Sequence, residues 1–377
     1  MGGVKEKIVQ WVEERIRLPT AGLDISDRSI KYARFIPLRR RGWGRASGIV
    51  LAECGSEEIP EGVVVAGVVE REDALAAALA AVAARAGQAF RASGMVVSLP
   101  EEKSFLKLLQ TPAVAKDALA GAVRWSMEGQ IPIAPEDTIY DFEEIRAAES
   151  VTDHRDVVVT AFPKGIVASY VRAIKAAGLT PVALELESQA IIRATVPDLS
   201  APEAKIVLDM GRTRTSFIIV AGGSIMFTAT VPIGGQALEK DIARGLGVSD
   251  EEAALIKKET GLSKTSHEGK LYTALLPSLT ILVDELSRAV LYYRDHATHA
   301  HGAGDTITTI LLSGGDASLY GLDTYFAVAT RIPVVRVDPF AVARGRGTGA
   351  MPPLPYNQAL AFTAAIGLAL RGSRSNQ

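Results

Sequence analysis

The chain has 377 residues, 48% hydrophobic and 22% charged, with 41 Lys and Arg against 43 Asp and Glu for a formal net charge of -2. That composition fits a folded protein of about two domains and excludes disorder, collagen-like repeats and a broad basic face for nucleic acid. One cysteine, Cys54, excludes an intramolecular disulfide and a thiolate metal cluster; no apolar run of about 18 residues reads as a membrane span or leader, so a cytoplasmic setting is expected.

Residues 4–17 place Ile8, Trp11, Val12 and Ile16 on one face of an amphipathic N-terminal helix, assigned to 1–20. Lys and Glu mix on its polar face, which favours packing or a partner contact over lipid. A strand at 22–25, a polar turn at 26–28 and a strand at 29–37 read as a hairpin. The Arg- and Gly-rich segment 39–48 reads as a solvated loop, with strand resuming near Ile49. Next come a helix at 74–86, a strand at 95–99 and a helix ending near Gly129. A strand at 157–161, a helix at 164–177 and an extended piece at 181–187 follow.

At Lys205 the opening pattern recurs, with strands at 206–210, 215–220 and 225–231 separated by turns. A strand-Asp-turn-strand unit repeated half a chain apart predicts two like domains facing a shared cleft. The 248–300 stretch is mostly helical, with Ile281, Leu282, Leu286, Ala289, Val290 and Tyr293 as its apolar face. A strand at 306–312 breaks at Ser313, Gly314 and Gly315, a helix is expected from about Ala317, and a last helix covers 359–370.

Asp24 and Asp209 each end an apolar strand and enter a turn of small polar residues. A buried carboxylate needs a cation, donors or water. Two such turns facing each other can hold Mg2+ through water while backbone N–H groups cup phosphates; either turn alone reads more simply as an Asp-initiated turn. The third element, Leu312-Ser313-Gly314-Gly315, is a strand-glycine junction at which a flat base or a phosphate can approach bare main chain.

In this order the three elements resemble the nucleotide-binding core of the actin, Hsp70 and sugar-kinase superfamily, and within it the PilM family of type IV pilus assembly, related to FtsA. The likeness is carried by Gly22-Leu23-Asp24-Ile25 with Ser29-Ile30-Lys31, Trp125 with Gln130-Ile131-Pro132, and the segment from Pro181 to Ser188. It continues through Leu208-Asp209-Met210-Gly211 with Thr215, Val231-Pro232-Ile233-Gly234-Gly235, Leu312 to Gly315, and Ala364-Ala365-Ile366-Gly367-Leu368. The fold this implies is α/β, with two actin-like (ribonuclease H-like) domains around a nucleotide cleft and a small inserted α+β subdomain as in FtsA. The first domain would cover 21–93 and 178–204, the insert 94–177, the second domain 205–340 with a helical part at about 236–304, and 341–377 would return to the first.

The resemblance implies ATP with Mg2+. Asp24, Ser26, Asp27, Ser29 and Lys31 would serve in the first phosphate loop, and Asp209, Gly211, Thr213 and Thr215 in the second. Gly234, Gly235, Lys257, Gly314, Gly315 and Asp316 would complete the nucleotide contacts, with Asp24 and Asp209 holding the metal through water. It implies an adaptor at the inner face of the cytoplasmic membrane that binds the N-terminal cytoplasmic peptide of a PilN-like membrane protein and reaches the membrane through it. Other platform or motor components are further candidate partners. Hydrolysis would be slow at most, and no catalytic base is assigned. A small-molecule kinase or a filament-forming actin-like protein are the rival readings. The partner groove would lie between the insert and the first domain, within 103–133.

Several positions depart from the family pattern. Ser26 replaces a glycine, Ser216 an acidic residue, Asp316 the third glycine of the adenosine loop, and Ala254 the glutamate companion of Lys257. Lys257 then reads first as a solvated helix residue, and Trp125 as core. Arg212 and Arg214 would pair with phosphate or point to solvent. His296, His299 and His301 read as a solvated helix end, and Glu101, Glu102, Glu143 and Glu144 as surface carboxylates.

Overall fold

The computed structural model describes residues 19–37, 49–145, 154–198, 201, 203–296, 304, 306–344 and 354–374. The N-terminal helix, the loop at 39–48, His299, His301 and the side chain of His296 lie outside the described residues.

The first lobe is built on strands β1 (Thr20–Ile25), β2 (Ser29–Pro37), β3 (Ile49–Glu58), β6 (Gly94–Leu99) and β10 (Thr180–Leu186), ordered β10-β6-β1-β2-β3. A short ladder, β4 (Val64–Val65) with β5 (Val68–Val69), precedes helix α1 (Glu72–Ala86). The second lobe has β11 (Ala204–Met210), β12 (Thr215–Ala221), β13 (Ser224–Val231), β14 (Ile307–Ser313) and β15 (Val334–Arg336), ordered β13-β12-β11-β14-β15. In each sheet the first three strands are an antiparallel meander, and the fourth and fifth add in parallel beside the first. The repeated sequence unit is thus a repeated topology. The central strands read as near-continuous apolar runs because both faces of each sheet are covered.

Helices α1 and α3 (Lys164–Ala176) cover the outer face of the first sheet through Leu75, Leu79, Val82, Tyr170 and Ile174. The outer face of the second sheet is covered by α5 (Gly235–Leu246), α6 (Asp250–Thr260) and α7 (Lys270–His296), through residues including Leu238, Ile242, Ala253, Leu282 and Leu286. Each fully buried Leu or Ile contributes about 1.5–3 kcal/mol. Within the apolar face expected for α7, Ile281 is instead exposed.

Between the two sheets lie α4 (Glu187–Thr195) and α9 (Thr363–Arg374). Ile191 and Ile192 pack on Val207 and Ile218 of the second sheet, while Ala365, Ile366 and Ala369 of α9 pack with Ala33 and Phe35 of the first. Glycine sets these spacings. A Cβ on Gly367 would lie 1.8 Å from the Ala190 carbonyl oxygen, and one on Gly22 would lie 2.2 Å from that of Ala365.

A separate three-stranded sheet, β7 (Phe105–Pro112), β9 (His154–Pro163) and β8 (Thr138–Glu144), has the order β7-β9-β8 and is backed by α2 (Leu119–Met127). It spans 105–163, less than the 94–177 expected of the insert, because β6 pairs with β1 inside the first sheet and α3 packs in the first core. Trp125 was expected in a core, but it is 75% exposed: Leu119, Val123 and Met127 form the buried face of α2, and Trp125 lies off it. No helix among the described residues is long and apolar enough to cross a membrane.

Candidate functional site: an acidic cleft between the lobes

The turns after β1 and β11 converge on one cavity of about 60 Å³. Of the residues assigned to nucleotide from sequence, Asp24, Ser26, Lys31, Asp209, Gly211, Thr213, Gly314 and Gly315 line it. Glu187, at the start of α4, lines it too and was not assigned, although it lies in the Pro181–Ser188 motif.

The first turn is closed by its own hydroxyls. Ser26 Oγ donates to the Ser29 carbonyl at 3.0 Å, and Lys31 Nζ donates to Ser29 Oγ at 3.0 Å. Asp24 is buried and accepts a 2.8 Å hydrogen bond from Ser98 Oγ, which itself accepts from the Ile25 amide at 3.1 Å. In the second lobe, Ser313 stands opposite Asp209 in parallel register, and its fully buried hydroxyl lacks a hydrogen-bond partner of good geometry. Burial pushes Asp209 up to about 6, with the charge of Asp24 adding to it, against the pull of a loose hydrogen bond from Ser313 and of Lys31 and Arg214. Glu187 is lifted well above the usual carboxylate range by burial and then by Asp24.

The other assigned residues do different work here. Asp27 accepts from the Ala66 and Gly67 amides at 3.2 and 3.1 Å and pairs with Arg214 at 3.4 Å. Thr215 Oγ1 donates to the Ile233 carbonyl at 2.6 Å, which fixes the turn into α5. The Gly235 and Gln236 amides at the start of that helix donate to the Gly211 and Arg212 carbonyls at 3.0 and 2.8 Å. Gly314 has φ 90°, and a Cβ there would sit 2.4 Å from the Met210 carbonyl oxygen. The helix expected from Ala317 is a single 3-10 turn over Gly315–Ser318, and α8 starts later, covering Leu322–Thr330.

Four side chains correct the sequence reading. Arg214 lines the cavity and does not point to solvent: it crosses to the first lobe, where it donates to Glu102 and pairs with Asp27. Burial opposes its charge, but Glu187, Glu102 and Asp27 outweigh that and hold it protonated. Glu101 and Glu102 are not surface carboxylates, because β6 delivers them to the junction of the lobes. Glu101 is 4% exposed, accepts from the Ser188 amide at 3.2 Å and is raised by burial. Lys257 is not a solvated helix residue. Its Nζ donates to Asp316 at 2.6 Å and to the Gly235 carbonyl at 3.2 Å, and pairs with Glu239 at 2.7 Å, so Glu239 and Asp316 fill the role left open by Ala254. Arg212 is half exposed and lies 3.5 Å from Glu239.

A second cavity, about 690 Å³, lies where the insert, the first lobe and the β12–β13 turn meet. It runs along the free strands β8 and β10, touching consecutive residues Ile139 to Glu143 and Leu184 to Leu186, and is closed at one end by Gln189, Ile192 and Arg193 of α4. Of the 103–133 segment expected to carry the partner groove, Leu106 alone lines it.

The family model of the type IV pilus assembly protein PilM matches residues 22–373. A PilM–PilN type IV pilus biogenesis complex superposes with a TM-score of 0.76 at 24% identity, covering 94% of this chain and 99% of that one. MreB5 of Spiroplasma citri bound to ADP superposes at 0.54 with 12% identity, over 96% and 98% of the two chains. These likenesses identify the actin-like fold. The cell division protein FtsA of Bacillus subtilis (strain 168) is 29% identical over 98 residues, 26% of this chain and 22% of its own length, so the match spans less than a quarter of that relative.

Proposed function

Because the chain belongs to the family of the type IV pilus assembly protein PilM, we propose that it is an ATP-binding adaptor on the cytoplasmic face of the inner membrane. It docks the N-terminal cytoplasmic segment of a PilN-like membrane protein. The family match over 22–373 carries this reading, and the cleft supports its nucleotide half.

The residues present fit Mg2+ and phosphates. Asp24, Asp209 and Glu187 crowd one cavity so closely that two of them are raised, and a divalent cation relieves that repulsion. Among the described residues no three His, Cys, Asp or Glu form a direct metal cage, so Asp24 and Asp209 would hold the ion through water. Lys31 and Thr213 face the cavity and suit phosphate oxygens. When bound, the ion supplies charge neutralisation for the triphosphate. A cavity of about 60 Å³ is far smaller than a nucleotide site, so occupation requires the lobes to part.

The larger cleft is the proposed seat of the partner segment. Free strand edges on both sides offer unpaired main-chain groups to an extended peptide. Helix α4 carries Glu187 into the phosphate cavity and Gln189, Ile192 and Arg193 into this cleft, so a ligand that moves the lobes also reshapes the peptide seat.

The test is a titration of a labelled N-terminal PilN-type peptide into the full chain, with and without Mg·ATP. Wild type captures the peptide with an affinity that changes on adding nucleotide. Thr160 of β9 lines the cleft, so Thr160→Arg, which puts a long charged side chain there, abolishes capture, and Asp209→Ala removes the nucleotide effect alone. Equal capture by wild type and Thr160→Arg would rule this seat out, and no capture in any state would rule out the adaptor reading.

A further inference from the structure

In open α/β sheets ligands sit beyond the carboxyl ends of the parallel strands, where the strand order reverses. Here those ends are Asp209 on β11 and Ser313 on β14, followed by the loops at 211–214 and 314–318. A ligand with phosphates among Asp24, Asp209 and Gly315 has one wall set by Leu360, Thr363 and Ala364. Directly beside that cavity, where the Gly235 amide donates to the Gly211 carbonyl and Asp316 follows Gly315, the ligand's remaining length has room to run only toward the place where Gly235 of α5, Lys257 of α6 and Asp316 meet.

That place is filled. The Asp316 carboxylate lies where a Cβ on Gly235 would sit, at 2.0–2.3 Å from it, and is bound to Lys257 Nζ at 2.6 Å. The side chains of Lys257, Glu239 and Asp316 are only 11%, 10% and 17% exposed. Arg212 lies 3.5 Å from Glu239, so two cations face two carboxylates and the cluster obstructs a ligand by its bulk and its closed ion pairs. Lys257 has a second carboxylate in Glu239, at 2.7 Å, and does not need Asp316 to remain paired.

We propose that Asp316 controls access of the nucleoside to this cleft: locked to Lys257, its side chain occupies the space beside Gly235 that a ribose and base would take, so a nucleotide is held mainly by its phosphates. The proposal rests on the nucleotide-binding reading above and goes beyond it by naming the residue that weakens the nucleoside end. A glycine at 316 would open the space without stranding Lys257. An asparagine would remove the charge and keep the bulk.

Calorimetric titration of the full chain with Mg·ATP, and with Mg·tripolyphosphate as a probe of the phosphate end alone, tests this in wild type and in Asp316→Gly, Asp316→Ala and Asp316→Asn. The Gly and Ala variants are expected to tighten ATP by roughly tenfold or more, about 1.4 kcal/mol, with tripolyphosphate changed by less than about twofold and Asn falling clearly short of Gly. ATP affinity unchanged or weakened in both small-residue variants would overturn the proposal. So would an equal gain for tripolyphosphate, or an Asn variant matching Gly, since either makes the effect one of charge alone. If ATP binds neither wild type nor the folded variants, the nucleotide reading falls and this inference with it; binding of ATP by wild type with no gain in the variants removes only the inference.

Discussion

The turns after β1 and β11 share strand order, register and an acidic residue, yet their surroundings are unlike. Asp24 lies opposite Lys31 across its hairpin and takes a hydrogen bond from Ser98; Asp209 lies opposite Ser216 and has Ser313 beside it on the parallel strand. The first turn is wired internally, whereas the second sends Arg214 across to the first lobe. Duplicating a backbone therefore duplicates a carboxylate and the serine beside it, Ser98 for Asp24 and Ser313 for Asp209, but not the turn that follows. The first turn closes on its own hydroxyls, and the second reaches the opposite lobe through Arg214.

The strongest way to break this asymmetry is Arg214→Ala, which strands Glu102 and Asp27 at the lobe junction. It should destabilise the chain by about 3 kcal/mol in denaturant titration, because an uncompensated buried charge costs more than the pair contributes. A loss under about 1 kcal/mol would mean that Arg214 is not a bridge between the lobes.

Asp209→Asn should act in the opposite direction. With the carboxyl at 3.8 when unfolded and about 6 when folded, the native state holds the proton longer, so this group lowers stability as pH rises from about 4 to 6, and the penalty is constant above. The variant should gain about 1–3 kcal/mol at pH 7.5 and almost nothing at pH 4, while losing Mg2+-dependent nucleotide binding. A gain independent of pH would refute the assignment.

Ser98→Ala sharpens the comparison from the first lobe. Losing the bonds to Asp24 and to the Ile25 amide should cost about 1–2 kcal/mol, whereas Ser313→Ala, which removes only the one loose bond to Asp209, should cost less. The smallest effect is expected for Trp125→Ala, within about 0.5 kcal/mol in thermal melts, since the ring is largely in solvent.

Much of this was legible in the chain itself. The repeated strand-Asp-turn-strand unit predicts two like halves, and the sheets have the same order. Asp24, Asp209, Gly211 and Gly315 fall on one cavity because each ends or follows an apolar strand whose pattern is local. Strands β7 and β8 escape that reading. In β8, Thr138, Tyr140 and Phe142 alternate with Ile139, Asp141 and Glu143, so neither face is cleanly apolar.

What only tertiary structure decided are the partners. Arg214 and Glu102 are 112 residues apart, Lys257 and Asp316 59, and nothing in the periodicity of either segment says which carboxylate meets which cation. Hydrophobic spacing tells which side of an element leaves water. It does not tell what lies opposite, so the sequence located the acidic corners, and packing the lobes together determined that one is bridged by an arginine and that Lys257 is locked between Asp316 and Glu239.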